Sequence, residues 1–215
     1  FLPNDTTPNA LYQPGPIDIT NGTVILTFTS TDHGNCNPVS DSLSLAIIPS
    51  PAVDFNALET CQNEFVYFSD LSSNDVTGWN WNFCDGSPVD IVQNPGHIYT
   101  GWGNYTITLV AVSLNGCSDT VQKNLLIHPT PLADFISTAE CFIDTALFSD
   151  NSTIPADGIA GWKWFFGDGD SSALPNPPHL YPSGGSYNVV LIAISSFGCV
   201  DTLIQTVNVS PAPVA

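Results

Sequence analysis

The chain has no methionine and no arginine, and its only lysines are Lys123 and Lys163. Nucleic acid and anionic lipid are held by clusters of lysine and arginine that displace counterions, so two isolated lysines exclude both partners. Lys and Arg total 2 against 20 Asp and Glu, a formal net charge of −18. The aspartates are scattered along the chain, as on a solvated surface facing salt or divalent cations. No apolar run is long enough to cross a bilayer, so membrane insertion is not expected. The opening FLPNDTTPNA lacks the charged and apolar regions of a signal peptide and reads as part of a mature or excised segment. The 6 cysteines form no CxxC pair and no Cys/His cluster at zinc-ligand spacing. Disulfides made outside the cytosol are therefore expected. G-x-S-x-G, H-E-x-x-H and a phosphate loop are all missing, which leaves no catalytic residues and no cofactor to expect.

What is present is Thr, Val, Ile, Asn, Asp, Ser, Gly and Pro, a balance that favours short strands joined by turns. The 215 residues hold two domains of about 100 residues with room for part of a third. Laying the chain on itself reveals one unit twice. Pro51, Asp54, Phe55, Cys61, Phe68 and Asp70 return 80 positions later as Pro131, Asp134, Phe135, Cys141, Phe148 and Asp150. The run GWNWNFCDG, Gly78 to Gly86, answers GWKWFFGDG, Gly161 to Gly169, at a spacing of 83. That shift reflects three residues inserted in the loop holding Ile154 to Ile159. NPGHIY answers NPPHLY at a spacing of 82, as do Tyr105 and Tyr187, Gly116-Cys117 and Gly198-Cys199, and Pro129 and Pro211. The expected domains are 50–129 and 130–212, preceded by a partial module at 1–49.

Within each unit the apolar residues alternate, as in a half-buried strand. Trp79, Trp81 and Phe83 face one way and Asn80 and Asn82 the other, and Tyr105, Ile107, Leu109 and Ala111 form a second core-facing set. Turns at Asp85-Gly86, Asn115-Gly116 and Phe197-Gly198 separate the runs. The expected fold is all-β: tandem Ig-like Greek-key sandwiches of about seven strands each.

The succession W-x-W-x-F-x-D-G, N-P-x-H-x-Y and G-x-Y-x-V/I-x-L resembles the PKD (polycystic kidney disease) domain across both units. Cys84 departs from that pattern, which has glycine there as at Gly167, so the turn need not take a glycine-only conformation. The N/F-G-C-x-D-T near each unit's end resembles the version in large secreted Bacteroidota proteins, including gliding-motility adhesins. Residues 1–49 resemble the last half of another Ig-like module, with the pattern Y-x-P-x-x-x-D-I-x-x-G-x-V-x-L-T, strands at TVILTFTST and SLSLAII, and a turn carrying Cys36. Half a sandwich leaves a sheet face uncovered, so upstream sequence or another subunit is expected to complete it.

Asp85, Asp168 and Asp170 occupy the DG and DGD turns, where calcium is the cation clustered carboxylates would take. Turn chemistry accounts for them without a metal. His97 and His179 recur in equivalent places, which marks structural histidines rather than one catalytic base; His33 and His128, in a loop and a linker, carry no partner pattern. Trp79, Trp81, Trp162 and Trp164 suit core packing better than sugar stacking. Trp102, where the second unit has Gly184, is a candidate exposed contact. Thr6, Ser42, Thr120, Thr145 and Thr202 each follow an aspartate in a pattern resembling the Bacteroidota O-glycosylation signal; strand-opening Asp-Thr pairs are the alternative.

The simplest cysteine pairing joins Cys61 to Cys117 and Cys141 to Cys199 inside the units. In the Ig-like order Cys61 precedes strand B and Cys117 follows strand F, and those strands run the same way, leaving the two cysteines about 25 Å apart. Bridged Cα atoms lie within about 7 Å. A bridge between units, Cys61 to Cys199, is therefore expected, with Cys117 left for a preceding domain, Cys141 for a following one and Cys36 for a missing partner.

Together these features describe a non-enzymatic segment of a bacterial surface stalk, adhesin or filament, extracellular and semi-rigid because prolines keep the joints PSPAVDF and HPTPLADF short. Its partners would be neighbouring domains of the same chain or identical subunits, with a surface polysaccharide or protein as ligand. The alternatives are an accessory segment that positions a secreted hydrolase on a polymer, and a repeating subunit of a surface polymer.

Overall fold

The computed structural model describes residues 11–30, 37–138 and 141–211. The first module begins with a one-turn helix, α1 (Pro16–Asn21), that strand periodicity did not signal. Proline at its first position needs no donor partner, Gly15 caps it, and Asp18 accepts the Gly15 backbone N–H at 2.9 Å. Gly22, at φ 67°, ends the turn and leads into the antiparallel hairpin of β1 (Thr23–Thr29) and β2 (Ser40–Ala46). Ile25, Phe28 and Leu43 on this hairpin are exposed.

The first repeat contains β3 (Phe55–Asn56), β4 (Thr60–Cys61), β5 (Phe65–Tyr67), β6 (Ser69–Asp70), β7 (Val76–Asn82), β8 (Gly96–Ile98), β9 (Gly103–Ser113) and β10 (Ser118–His128). One sheet has the order β4-β10-β9-β7, antiparallel except for the parallel pairing of β4 with the end of β10. Facing it, β3 pairs with β6 and β5 with β8. The ladder breaks at Phe68, whose N–H goes to the Pro95 carbonyl at 3.0 Å.

The second repeat has β11 (Phe135–Ser137), β12 (Ala146–Asp150), β13 (Ile159–Phe165), β14 (Ser171–Ser172), β15 (Pro178–His179), β16 (Gly185–Ser195) and β17 (Val200–Val209). A 3-stranded sheet β11-β12-β15 faces a 4-stranded sheet β14-β13-β16-β17. The described residues are thus all-β apart from α1, with two tandem Ig-like sandwiches.

The two cores superpose in chemistry as well as position. Trp81 and Trp164 are both 0% exposed. Phe55 meets Trp81 edge-on at 5.2 Å, and Phe135 meets Trp164 edge-on at 5.1 Å. Each buried indole needs an acceptor for its N–H; Val92 O supplies one and Leu174 O the other, both at 2.9 Å. Trp79 and Trp162 are half-buried and donate to Asp70 and Asp150 at 2.8 and 2.7 Å. These bonds explain why both aspartates recur with the tryptophans.

Candidate functional site

Two constellations repay attention, the DG turns and the joint between the repeats. In the first repeat the Asp85 carboxylate meets His97 Nε2 at 2.7 Å and accepts Ser87 N–H and O–H at 3.0 and 2.6 Å. In the second, Asp168 meets His179 Nε2 at 2.7 Å and accepts the Asp170 N–H at 3.1 Å. His97 stacks on Phe83 at 4.1 Å and His179 on Phe166 at 4.0 Å, so each imidazole closes one end of its core. Partial burial raises the pKa of Asp85 and Asp168, and the hydrogen bonds outweigh it, holding both below the usual carboxylate range.

Ligand atoms of Asp168, Asp170 and His179 all lie within 4.8 Å of one another. Asp85, in the other repeat, is not part of that group. The donor set fits calcium poorly, because a hard cation wants six to eight oxygens and one of these three donors is an imidazole. The His–Asp pair stands equally in the first repeat, where Ser87 occupies the place of Asp170. Turn and core chemistry account for both pairs.

Cys84, where glycine is the family habit, keeps the left-handed backbone at φ 61°, beside 88° at Gly167. Both turn residues have positive φ, and the value at Cys84 lies in the left-handed region that a non-glycine residue can adopt, with its side chain exposed. Trp102 is 46% exposed. Ser42, Thr120, Thr145 and Thr202 are exposed; Thr6, His33 and Cys36 lie outside the described residues.

At the joint, Cys61 and Cys199 form a disulfide with Cα atoms 5.6 Å apart. Cys61 is in register with His128 at the far end of β10, whereas Cys117 precedes the first residue of that strand. The 11 residues of β10 put roughly 36 Å between those positions, so a Cys61–Cys117 bridge is out of reach. Cys84, Cys117 and Cys141 are free thiols.

His128 corrects a sequence-based expectation, for it has a full set of partners and belongs to a strand rather than a linker. Its ring lies against Phe197 of the second repeat, centroids 3.5 Å apart and 10° from parallel. Nδ1 faces Asp157 Oδ2 at 2.9 Å and Nε2 faces Glu59 Oε2 at 3.2 Å. Both nitrogens can donate only in the imidazolium form. Burial lowers the pKa of His128, but the two carboxylates outweigh it and raise the value above the ordinary histidine range. Around this cluster Pro129, Pro131 and Ala133 are buried, and the Ala133 N–H donates to Asp201 Oδ2 at 2.8 Å.

Sequence reasoning missed this cluster because it looked for what the repeats share. The cluster is built from what they do not share. His128 stands where the second repeat has Ser210, Phe197 where the first has Asn115, and Asp157 lies in the loop with the three-residue insertion. That loop reaches the joint through strained backbone, Asp157 at φ 70° followed by Gly158 at 134°, and the Gly158 carbonyl accepts the Ser196 N–H at 2.9 Å.

A family model described as the PKD domain matches residues 49–127 and again 128–210. Among solved structures, the PKD1 domain of Vibrio anguillarum Epp is 23% identical, with 39% of this chain and 96% of that one covered and a TM-score of 0.37. The PKD1 domain of the Vibrio cholerae metalloprotease PrtV is 30% identical over 37% of this chain and 96% of that one, TM-score 0.35. Three N-terminal domains of the bacteriophage RB49 outer capsid protein Hoc are 10% identical, with 86% of each chain covered and a TM-score of 0.42.

Proposed function

The chain belongs to the PKD domain family over residues 49–127 and 128–210, and we propose that its repeats form a semi-rigid, non-enzymatic segment of an extracellular bacterial stalk or adhesin. The observation that carries this reading is the joint. Two Ig-like domains tied by one peptide linker swivel by default. Here the Cys61–Cys199 bond is a second covalent connection, and the His128–Phe197 stack fills the space between. A disulfide also belongs to an oxidising compartment. No helix among the described residues is long and apolar enough to cross a membrane.

The three histidines among the described residues are committed elsewhere than to acid–base chemistry, His97 and His179 to core-closing carboxylates and His128 to the joint. Placement among gliding-type surface adhesins rests on the N/F-G-C-x-D-T endings of the two repeats. Small-angle scattering tests the mechanical reading. The oxidised chain should give one narrow distribution of maximum dimension, and the Cys61→Ser/Cys199→Ser variant a broader one. Equal breadth in the two would remove the basis for a stiff segment.

A further inference from the structure

We infer that Cys117 and Cys141 are the two outward-facing halves of the same covalent joint. Each forms a disulfide with a neighbouring domain: Cys141 with the Gly-Cys turn of a following domain of this repeat type, and Cys117 with a cysteine of the Ig-like module that precedes the first repeat. The inference rests on the stiff-segment reading and names the partner of its two ends.

The occupied joint serves as the comparison. Its first half is Cys61, held in parallel register beside His128, with Gln62 N–H donating to His128 O at 2.8 Å and Glu64 N–H to Cys61 O at 3.1 Å. Cys141 is held in the same way: parallel to Ser210, with Phe142 N–H donating to Ser210 O at 3.1 Å and Asp144 N–H to Cys141 O at 3.0 Å. The second half is Cys199, whose carbonyl accepts Ser195 N–H at 2.8 Å while Gly198 N–H donates to Ser195 O at 3.0 Å. Cys117 repeats it, accepting Ser113 N–H at 2.8 Å beside Gly116 N–H to Ser113 O at 2.9 Å.

Both half-sites therefore carry the backbone geometry that the bonded pair uses. Cys199, bonded, is 1% exposed, whereas its counterpart Cys117 is a half-buried thiol; Cys61 and its counterpart Cys141 are both half-buried. Cys117 also faces the joint with the preceding module, its Sγ lying 3.9 Å from the Ile48 carbonyl.

The stacking cluster does not repeat with the cysteines. Ser210 stands beside Cys141 where His128 stands beside Cys61, and Asn115 precedes Gly116 where Phe197 precedes Gly198. The disulfide is thus the element common to successive joints, and the His128–Phe197 stack is particular to this one. Closing a bridge removes two protons and two electrons from two thiols, and a disulfide oxidant takes them up and leaves as two thiols.

The test extends the full chain with one more repeat. The chain ends PAPVA, matching the PTPLA that leads from the first repeat into the second. A second copy of residues 134–215 appended to Ala215 therefore continues the rod with a natural linker. The extended protein is oxidised with glutathione disulfide, alkylated and mapped by non-reducing peptide analysis. The expected result is a Cys61–Cys199 peptide and a second peptide joining Cys141 to the Cys199 of the added copy, with loss of alkylation at Cys141 and its retention at Cys84 and Cys117. A preserved Cys61–Cys199 bridge with Cys141 still alkylated, or bonded to Cys84 or Cys117, overturns the inference and leaves the stiff segment standing. Loss of the Cys61–Cys199 bridge in the folded, unextended chain overturns both.

Discussion

His128 and Phe197 lie face to face across the joint of the two repeats, their rings 3.5 Å apart and 10° from parallel. The contact joins residues 69 positions apart in sequence and belongs to neither core. With Glu59 and Asp157 at the two ring nitrogens, the imidazole is held by one acid from each repeat and one aromatic face. Such a cluster orients the two domains without adding to the stability of either one alone.

The paired cores predict paired penalties. Trp81→Ala and Trp164→Ala each remove a fully buried indole that donates to a carbonyl, at a cost of about 3–5 kcal/mol. Denaturant unfolding followed by fluorescence should show each variant destabilising chiefly its own repeat. A cost below about 1 kcal/mol at either site would contradict the core register.

The DGD turn predicts an asymmetry between two adjacent aspartates. Asp168 is buried against His179, whereas Asp170 is exposed and contributes its backbone N–H. Asp168→Asn should cost about 1–3 kcal/mol, since it weakens a buried hydrogen-bonded pair. Asp170→Ser, the residue the first repeat carries at Ser87, should change stability by less than about 0.5 kcal/mol. Melting with and without added calcium completes the comparison. The turn-chemistry account requires equal midpoints, and a calcium-dependent rise abolished by Asp170→Ser would instate a metal site.

Most of the architecture was legible because alternation and repetition report burial directly. Trp81 and Trp164, the flanking Phe83 and Phe166, and the turn glycines all follow from a period of two and a duplicated motif. The Cys61–Cys199 pairing was legible too, because strand direction separates Cys61 from Cys117 whatever the side chains do. The helix at Pro16–Asn21 escaped because one turn is too short to show a period, although Gly15-Pro16 before it and Gly22 after it are terminal signals. The joint escaped for a different reason. Glu59, His128, Asp157 and Phe197 come from four separate segments, and nothing local announces that they meet. The clue was indirect: all four are departures from the repeat, Glu59 standing where the second has Ala139.

The bridge, buried at Cys199 and half-buried at Cys61, predicts a kinetic effect of the stacked ring. Cys199 is 1% exposed, and Phe197, two residues before it and itself 44% exposed, is a partial cover stacked on His128. Phe197→Ala should open that cover and weaken the contact by about 0.5–1.5 kcal/mol. Reduction of the Cys61–Cys199 bond by dithiothreitol should then run several-fold faster than in the parent, while the melting of each repeat stays unchanged. Identical reduction rates would mean that the stack does not protect the bond.

The same cluster predicts how the joint responds to pH. His128 has a folded-state pKa above its ordinary value, because Asp157 and Glu59 outweigh the effect of burial. A group raised on folding adds stability that is fully present below the unfolded value, about 6.5, and disappears as pH rises through the folded value. Asp85 and Asp168 are shifted the other way, so their contribution is lost only in acid, below the ordinary carboxylate range, and adds no slope near neutrality. The joint should therefore tighten in mild acid and loosen in mild base. Titrating the His128 ring by NMR should give a midpoint above that of an exposed histidine. Glu59→Gln and Asp157→Asn should each lower that midpoint, and the double variant should bring it to or below the ordinary value. In parallel, the distribution of interdomain distances in the Cys61→Ser/Cys199→Ser chain should broaden as pH rises through that midpoint. A midpoint unmoved by either substitution would show that the carboxylates do not hold the imidazolium, and the pH response of the joint would have no physical source.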